Sequence, residues 1–331
     1  MTKRITAIVQ PLVDILVSCD HAFLEQRGLK PGSWALTDKD TQYKLLLDTQ
    51  SNRTLRSGGS GSNSLACAAL LGVSGTCVGL VGADVYGETF QRDFKAVGVT
   101  TPLAPISDAL TGTCLSLITP DGERTMRTNL GVGIECDKIH IDERHLEGRD
   151  WVILEGGHFL TAGEKNSAAV THAISLANKL GVRVAFNMSS EFAATTKRET
   201  ILADILPKLS FFILNESEAL ALTQETSAES AFSELAKRCP GLAITCGKEG
   251  AYLQFENHQA KIPAHTEIPV VDSTGAGDAF MGVLLAGLTH NLSLEAAGRG
   301  AARLAAEVVG QHGGRLPASA AAVWREVVGR Q

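Results

Sequence analysis

The sequence predicts an α/β fold in which a central, mostly parallel sheet is flanked by helices and carries a small β-sheet lid. Three observations support this. Beyond about residue 73, short apolar runs alternate with helix-period stretches, as in strands joined by crossover helices. The segment TGTCLSLITPDGERTMRTN (111–129) sets two strand-like runs around Asp121-Gly122, a pair that favours a tight hairpin. The chain has 331 residues, 44% hydrophobic and 20% charged, enough for one large domain with a sizeable core.

In chain order, Ile5 to Val9 reads as the first strand. Regions 14–56 and 108–130 read as two excursions from the α/β body that build one β-rich lid within a single domain, 1–331. WVIL (151–154), VRVAF (182–186), FFIL (211–214) and LAIT (242–245) are buried-strand candidates. Helical patterns separate them at 164–180, 191–206, 215–222 and 228–238. A buried helix is expected to begin near Ala276, because Phe280, Val283, Leu284 and Leu288 repeat with helical spacing.

Composition excludes several classes. A net charge of −6 argues against a general nucleic-acid binder, which needs a basic face. The N-terminal apolar stretch is interrupted by Gln10, Pro11 and Asp14, unlike a signal peptide. The longest apolar run, Ala279 to Leu288, is half a membrane span. Seven cysteines contain no C-x-x-C pair, so neither a zinc site nor a disulfide framework is indicated. The expectation is a soluble, cytoplasmic, small-molecule protein, monomeric or homodimeric, with no nucleic-acid or membrane partner.

Three glycine-rich segments could face phosphate. GLAITCGKEG (241–250) fails the Walker spacing, with Glu249 in the required Ser/Thr place. SGGSGSNSLACAALLG (57–72) fails the dinucleotide fingerprint, with Ser64 in the third glycine place. VDSTGAGDAFMGVLLAGL (271–288) is more specific. Gly275 and Gly277 permit close approach to backbone N–H groups at a helix start, so Gly275, Ala276 and Gly277 form a candidate anion hole. Asp278 follows immediately, and on local grounds it could be an ordinary first-turn carboxylate favoured by the helix dipole.

Read together, DSTGAGDAFMGVLLAGL (272–288), GGSGSNSLACAALLG (58–72) and NESEA (215–219) resemble the signatures of the ribokinase/PfkB superfamily of carbohydrate and nucleoside kinases. QPLVDI (10–15), GERTMRTNLG (122–131), GGHFLT (156–161), NMSSEF (187–192) and GQHGGRLP (310–317) fall in the order seen in its adenosine kinases. The resemblance implies a ribokinase-like fold, ATP and Mg2+ as cofactors, and phosphorylation of an alcohol. It assigns Asp278 as the base and Arg124 as a catalytic cation brought in by the lid, with Arg127 as its rival. Asp14, Gly58, Gly59 and Asn63 would hold the acceptor, and Trp34, Leu36, Cys114, Phe159 and Phe192, with Gln10, would surround an acceptor base. Asn215, Glu218, Thr245, Gly247 and Gly250 would serve ATP, with Glu218 near the metal.

Several positions depart from the adenosine kinases: Gln10 stands where Asn is usual, Trp34 where an amide side chain is common, and His158 where an apolar aromatic is common. Gly250 is closer to the sugar kinases. Three functions therefore stay open. The chain could be a nucleoside kinase acting on a ribose 5′-hydroxyl, adenosine favoured. It could be a fructokinase-, ribokinase- or sugar-acid-kinase-like enzyme acting on a primary hydroxyl. Or it could be a nucleotide-binding regulator.

Overall fold

The computed structural model describes residues 3–49, 52–311, 313–317 and 319–328, the side chains of His158 and Val328 excepted. Its strands, in chain order, are β1 Arg4–Ile8, β2 Leu12–Ser18, β3 Trp34–Leu36, β4 Arg53–Gly58, β5 Ser74–Val78, β6 Val99–Thr100 and β7 Gly112–Ile118. They continue as β8 Arg124–Asn129, β9 Trp151–Glu155, β10 Arg183–Asn187, β11 Phe211–Asn215, β12 Gly241–Thr245, β13 Ala251–Phe255 and β14 His258–Ile262. Two sheets result, a nine-stranded one ordered β14-β13-β12-β11-β10-β9-β1-β5-β6 and a five-stranded one ordered β3-β8-β7-β2-β4.

The large sheet is parallel from β6 to β12, with β13 and β14 added antiparallel. β9 is buried along its whole length and β11 over Phe211–Leu214, as a parallel sheet covered on both faces requires. Each parallel strand delivers its last residues to one edge, where sites form in open α/β sheets. Helix Ala276–Thr289 lies in the core, buried from Ala279 to Thr289. No described helix is long and apolar enough to cross a membrane.

The expected helix over 191–206 is broken into short turns, Glu191–Thr196 and Arg198–Thr200, then a wider π-type turn at Ile201–Ile205. Thr195 and Thr196 bond their hydroxyls back to the carbonyls of Glu191 and Phe192, and Pro207 has no N–H to continue a ladder.

The small sheet spans Leu12–Gly58 and Gly112–Asn129, slightly wider at the first excursion than expected, and it is not purely β. Helices α1 (His21–Gln26) and α2 (Lys39–Asp48) cover its outer face, where Leu24, Leu45 and Leu46 pack on Ile15, Val17, Leu115 and Leu117. Buried Gln42 ties α2 down, donating to the carbonyls of Thr113 and Arg127 and accepting from Thr113 Oγ1 at 2.6 Å. Alternation along the strands leaves Asp14, Cys114, Thr128 and, two steps along, Arg124 on the inner face. Arg127 falls on the other face, where its guanidinium donates to Ser33.

Leu115 is fully buried between this sheet and its two helices. Leu115→Ala should cost about 2–5 kcal/mol in urea unfolding, the usual range for a buried leucine, whereas exposed Leu110→Ala should stay within about 0.5 kcal/mol. Equal effects would mean that the outer face is not a packed core.

Candidate active site

The site forms where the carboxyl edge of the large sheet meets the starts of α3 (Ser60–Leu70) and helix Ala276–Thr289. Gly275 caps the latter helix at φ +78, and a Cβ there would overlap the Gly314 backbone. Glycine is therefore required on both counts. A Cβ on Gly277 would meet nothing, so the turn is open on that side. Of the three proposed anion-hole groups, Ala276 N–H is turned to Ser273 O at 3.3 Å. The N–H groups of Gly275 and Gly277 have no protein acceptor among the described residues, and neither has that of Asp278. Relative to the expected set, the open donors among the described residues exchange Ala276 for Asp278.

Asp278 accepts from Ser60 Oγ at 2.6 Å, Asn63 Nδ2 at 3.1 Å and Asn187 Nδ2 at 3.4 Å. Burial raises its pKa, and these three hydrogen bonds oppose the rise. Asp14 stands across the same cleft, its pKa pushed up to about 6 by burial, with Arg124 and Arg315 pulling the other way. Gly58 is needed because a Cβ would run into the Asp14 carboxylate, and Gly59 because its φ is +92. The cleft, about 370 Å³, is lined by Asp14, Trp34, Gly59, Ser60, Asn63 and Asp278 among others. Asp278 is thus not the sole carboxylate at the anion hole, since Asp14 and Glu218 also reach the cleft.

Behind the glycine turn lies a second cavity of about 340 Å³, lined by apolar groups such as Ile268, Val270, Phe280, Ala302 and Val309, with Gly247 and Gly250 at one side. Thr245 and Gly277 line both cavities. The two spaces therefore meet at the open backbone of the turn.

Arg124 is buried and its Nη2 sits 2.6 Å from Asp272 Oδ2. It is paired within the protein rather than pointing into empty cleft. Its Nε and Nη2 make no well-angled hydrogen bond, so donors remain. Asp272 also accepts from the N–H groups of Thr274 and Gly313, both at 3.0 Å, so one buried carboxylate joins the small sheet, the glycine turn and the C-terminal loop.

Asn215 caps helix Glu216–Thr223 through a reciprocal pair: its Oδ1 accepts from Glu218 N at 2.9 Å, and Glu218 Oε2 accepts from Asn215 N at 2.8 Å. The local reading as an ordinary helix start is correct, yet both residues also line the cleft. No group of three His, Cys, Asp or Glu side chains among the described residues could cage a metal.

The expected base-binding wall is only partly assembled. Trp34 lines the cleft, with Nε1 donating to Thr128 Oγ1 at 3.0 Å. Phe159 is fully buried in the main core and cannot face an acceptor. Gln10 turns inward, donating to Asn166 Oδ1 at 2.6 Å. Leu36 and Phe192 are exposed and do not line the cleft. Cys114 is buried beside Asp14 in register, its thiol pushed up to about 12 by burial, which leaves it protonated.

Sequence reasoning missed Ser60, Asn187, Glu155, Asp272 and Arg315. Each is an ordinary residue type whose role depends on a contact more than 40 positions away. Glu155, at the end of β9, accepts from Gln10 N and Gly61 N, both at 2.8 Å, and so anchors the two segments that carry Asp14 and Asn63.

Residues 34–321 match the pfkB family carbohydrate kinase profile. The chain belongs to this family. A ribokinase of Mus musculus is 30% identical over 249 residues, covering 72% of this chain and 73% of its own. Adenosine kinase 2 of Arabidopsis thaliana is 27% identical over 311 residues, covering 86% and 87%. The solved adenosine kinase of Sinorhizobium meliloti superposes with a TM-score of 0.88 at 28% identity, over 98% of this chain and 99% of that one. This pfkB protein is therefore a kinase acting on a hydroxyl group, with the ribokinase-like fold.

Burial raises Glu155 to about 7. Its native form holds a proton that the unfolded chain releases near the ordinary value of 4.5, so its contribution to stability falls as pH rises from about 4.5 to about 7. Glu155→Gln should lose stability at every pH, because Gln offers one acceptor to two backbone donors. The deficit relative to wild type should shrink from pH of about 5 to about 8 in urea unfolding. A deficit that grows with pH would contradict the assignment.

Proposed function

We propose that this pfkB kinase transfers the γ-phosphoryl group of ATP to the primary 5′-hydroxyl of a ribonucleoside, adenosine favoured. One observation carries the reading. A polar cleft holding three carboxylates and an apolar cavity of about 340 Å³ meet at the open Gly275–Gly277 turn. An alcohol on one side and a nucleotide on the other would converge there.

In this reading Asp14, with its two carboxylate oxygens, accepts from the vicinal hydroxyls of the ribose, and Asn63 assists. Asp278 faces the attacking hydroxyl and takes its proton, while the Gly275, Gly277 and Asp278 N–H groups stabilise charge on the group in transit. The apolar cavity would hold the adenine of ATP, with Gly247, Gly250 and Thr245 at its edge. The Asn215–Glu218 pair suits Mg2+ held through water, since no protein cage surrounds it and each residue has one oxygen committed to its helix cap. When bound, the ion would neutralise phosphate charge. The small sheet acts as the lid over the acceptor, and Arg124 gives its unused donors to the phosphates while Asp272 holds it in place.

Trp34 favours a nucleoside, because it is the aromatic wall of the cleft and its ring is fixed by Thr128. The absence of Lys and Arg among the described lining residues favours an uncharged acceptor over a sugar acid. A free sugar is the second reading, favoured by the inward turn of Phe159 and Gln10, which takes two expected wall residues away from the acceptor.

Turnover with Mg-ATP across nucleosides and free sugars decides between them; a ribose or fructose preference over every nucleoside would sink the nucleoside reading. Trp34→Ala should weaken nucleoside binding by about 1–3 kcal/mol, as for stacked bases, with little change in ATP KM. Asp278→Asn should fold and bind both substrates yet lose about 10²–10⁴-fold in kcat. Near-normal turnover would reduce Asp278 to a helix-start residue. Arg124→Ala should lower kcat more than it raises acceptor KM in steady-state kinetics.

A further inference from the structure

The donors on Asp278 account for its position but not for its charge. Asp14, Glu155 and Glu218 face it from β2, β9 and helix Glu216–Thr223, and Cys67 faces it from α3. Arg124 is already committed to Asp272. The GQHGGRLP segment supplies a cation that the reaction as described does not use.

We infer that Arg315 is a positioning residue of the phosphoryl-transfer site: it orients the Asn63 amide toward Asp278 and supplies the positive charge behind that carboxylate. The inference rests on the reading of Asp278 as the base. It also goes beyond that reading, because it names what keeps the base oriented and ionised.

The loop carrying Arg315 is pressed into the site. Gly313 N–H donates to Asp272, and Gly314 is buried against Gly275, where an added Cβ would come within 2.8 Å of Asn63 Nδ2. Arg315 Nε donates to Asn63 Oδ1 at 3.2 Å, and the other end of the same amide, Nδ2, donates to Asp278 Oδ2 at 3.1 Å. The two ends of an Asn amide have nearly the same shape, so packing alone does not choose between them. A guanidinium can only donate, so it demands the oxygen and sends the NH2 to the carboxylate. With the amide reversed, oxygen would face oxygen at Asp278 and nitrogen would face nitrogen at Arg315.

Arg315 is itself held. Its guanidinium lies 4.8 Å from the Phe94 ring centroid on α4 (Val85–Ala96), its carbonyl accepts from Gln311 Nε2 at 2.7 Å, and its Nη2 is buried without a hydrogen-bond partner among the described residues. Asp93, also on α4, faces it. Burial raises both Asp14 and Asp278, and the Arg315 charge opposes the rise in each.

The test compares wild type with Arg315→Met, which keeps length without charge, and Arg315→Lys, which keeps charge without the Nε donor. Arg315→Gln adds a neutral variant that retains a donor. Carboxyl 13C NMR follows the titration of Asp278, assigned by its disappearance in Asp278→Asn, and the pH dependence of kcat is measured alongside. In Met and Gln the Asp278 midpoint should rise by about one unit, with the acid limb of kcat moving the same way. In Lys the midpoint should stay near wild type, while kcat falls several-fold as Asn63 loosens. An unchanged Asp278 midpoint in whichever neutral variant is folded by circular dichroism would overturn the inference. The titration needs no turnover. A wild type inactive on every acceptor would therefore sink the kinase reading of the site without touching the electrostatic link between Arg315 and Asp278.

Discussion

A carboxylate taken out of water must be given hydrogen bonds and a counter-charge, or it will bind a proton or unfold its surroundings. At the start of helix Ala276–Thr289 this requirement organises much of the molecule. Ser60 and Asn63 come from the start of α3, Asn187 from the end of β10, and Arg315 from the C-terminal loop, and all converge on Asp278 directly or through one another. Ser60 and Asn187 share one Asp278 oxygen and Asn63 takes the other, so both buried oxygens have donors. The Asp278 carboxylate is therefore positioned by the tertiary fold, through segments more than 200 residues apart in the chain.

Asp272 plays the same role one turn upstream. By pairing with Arg124 and accepting from Thr274 and Gly313, it fastens the small sheet to the glycine turn and the turn to the C-terminal loop. The small sheet is thus no free flap. Its outer face is closed by α1 and α2, and its inner face presents Asp14 and Arg124 to the turn. One sheet can hold a carboxylate and a cation on the same face, because residues two apart along a strand, and paired residues on neighbouring strands, share a face.

Fold and site were legible to different depths. The four inner strands, the hairpin at Asp121-Gly122 and the start of the buried helix at Ala276 follow from local patterning, and the structure reproduces them. The break within 191–206 was hidden because threonine hydroxyls competing for carbonyls leave the apolar period intact. In the site, glycines at a helix start marked the 275–277 turn beside Asp278, whereas Asp14, Gly58, Gly59 and Asn63 were assigned from the resemblance to the ribokinase/PfkB kinases. The structure brings Asp14, Gly59, Asn63 and Asp278 to one cleft. Phe159 and Gln10 were misplaced because position along the chain does not say which side of a strand end a side chain takes.

By itself the sequence determined the alternation that makes a parallel sheet, the glycine turn that leaves helix N–H groups open, and the carboxylate set just behind it. These are local properties, decided by φ, period and side-chain chemistry within a few residues. Only the tertiary structure decided that Arg124 and not Arg127 faces the site, since one step along a strand reverses the face. It alone brought Ser60, Asn187 and Arg315 to Asp278, because serine, asparagine and arginine become specific only when burial removes water as their partner.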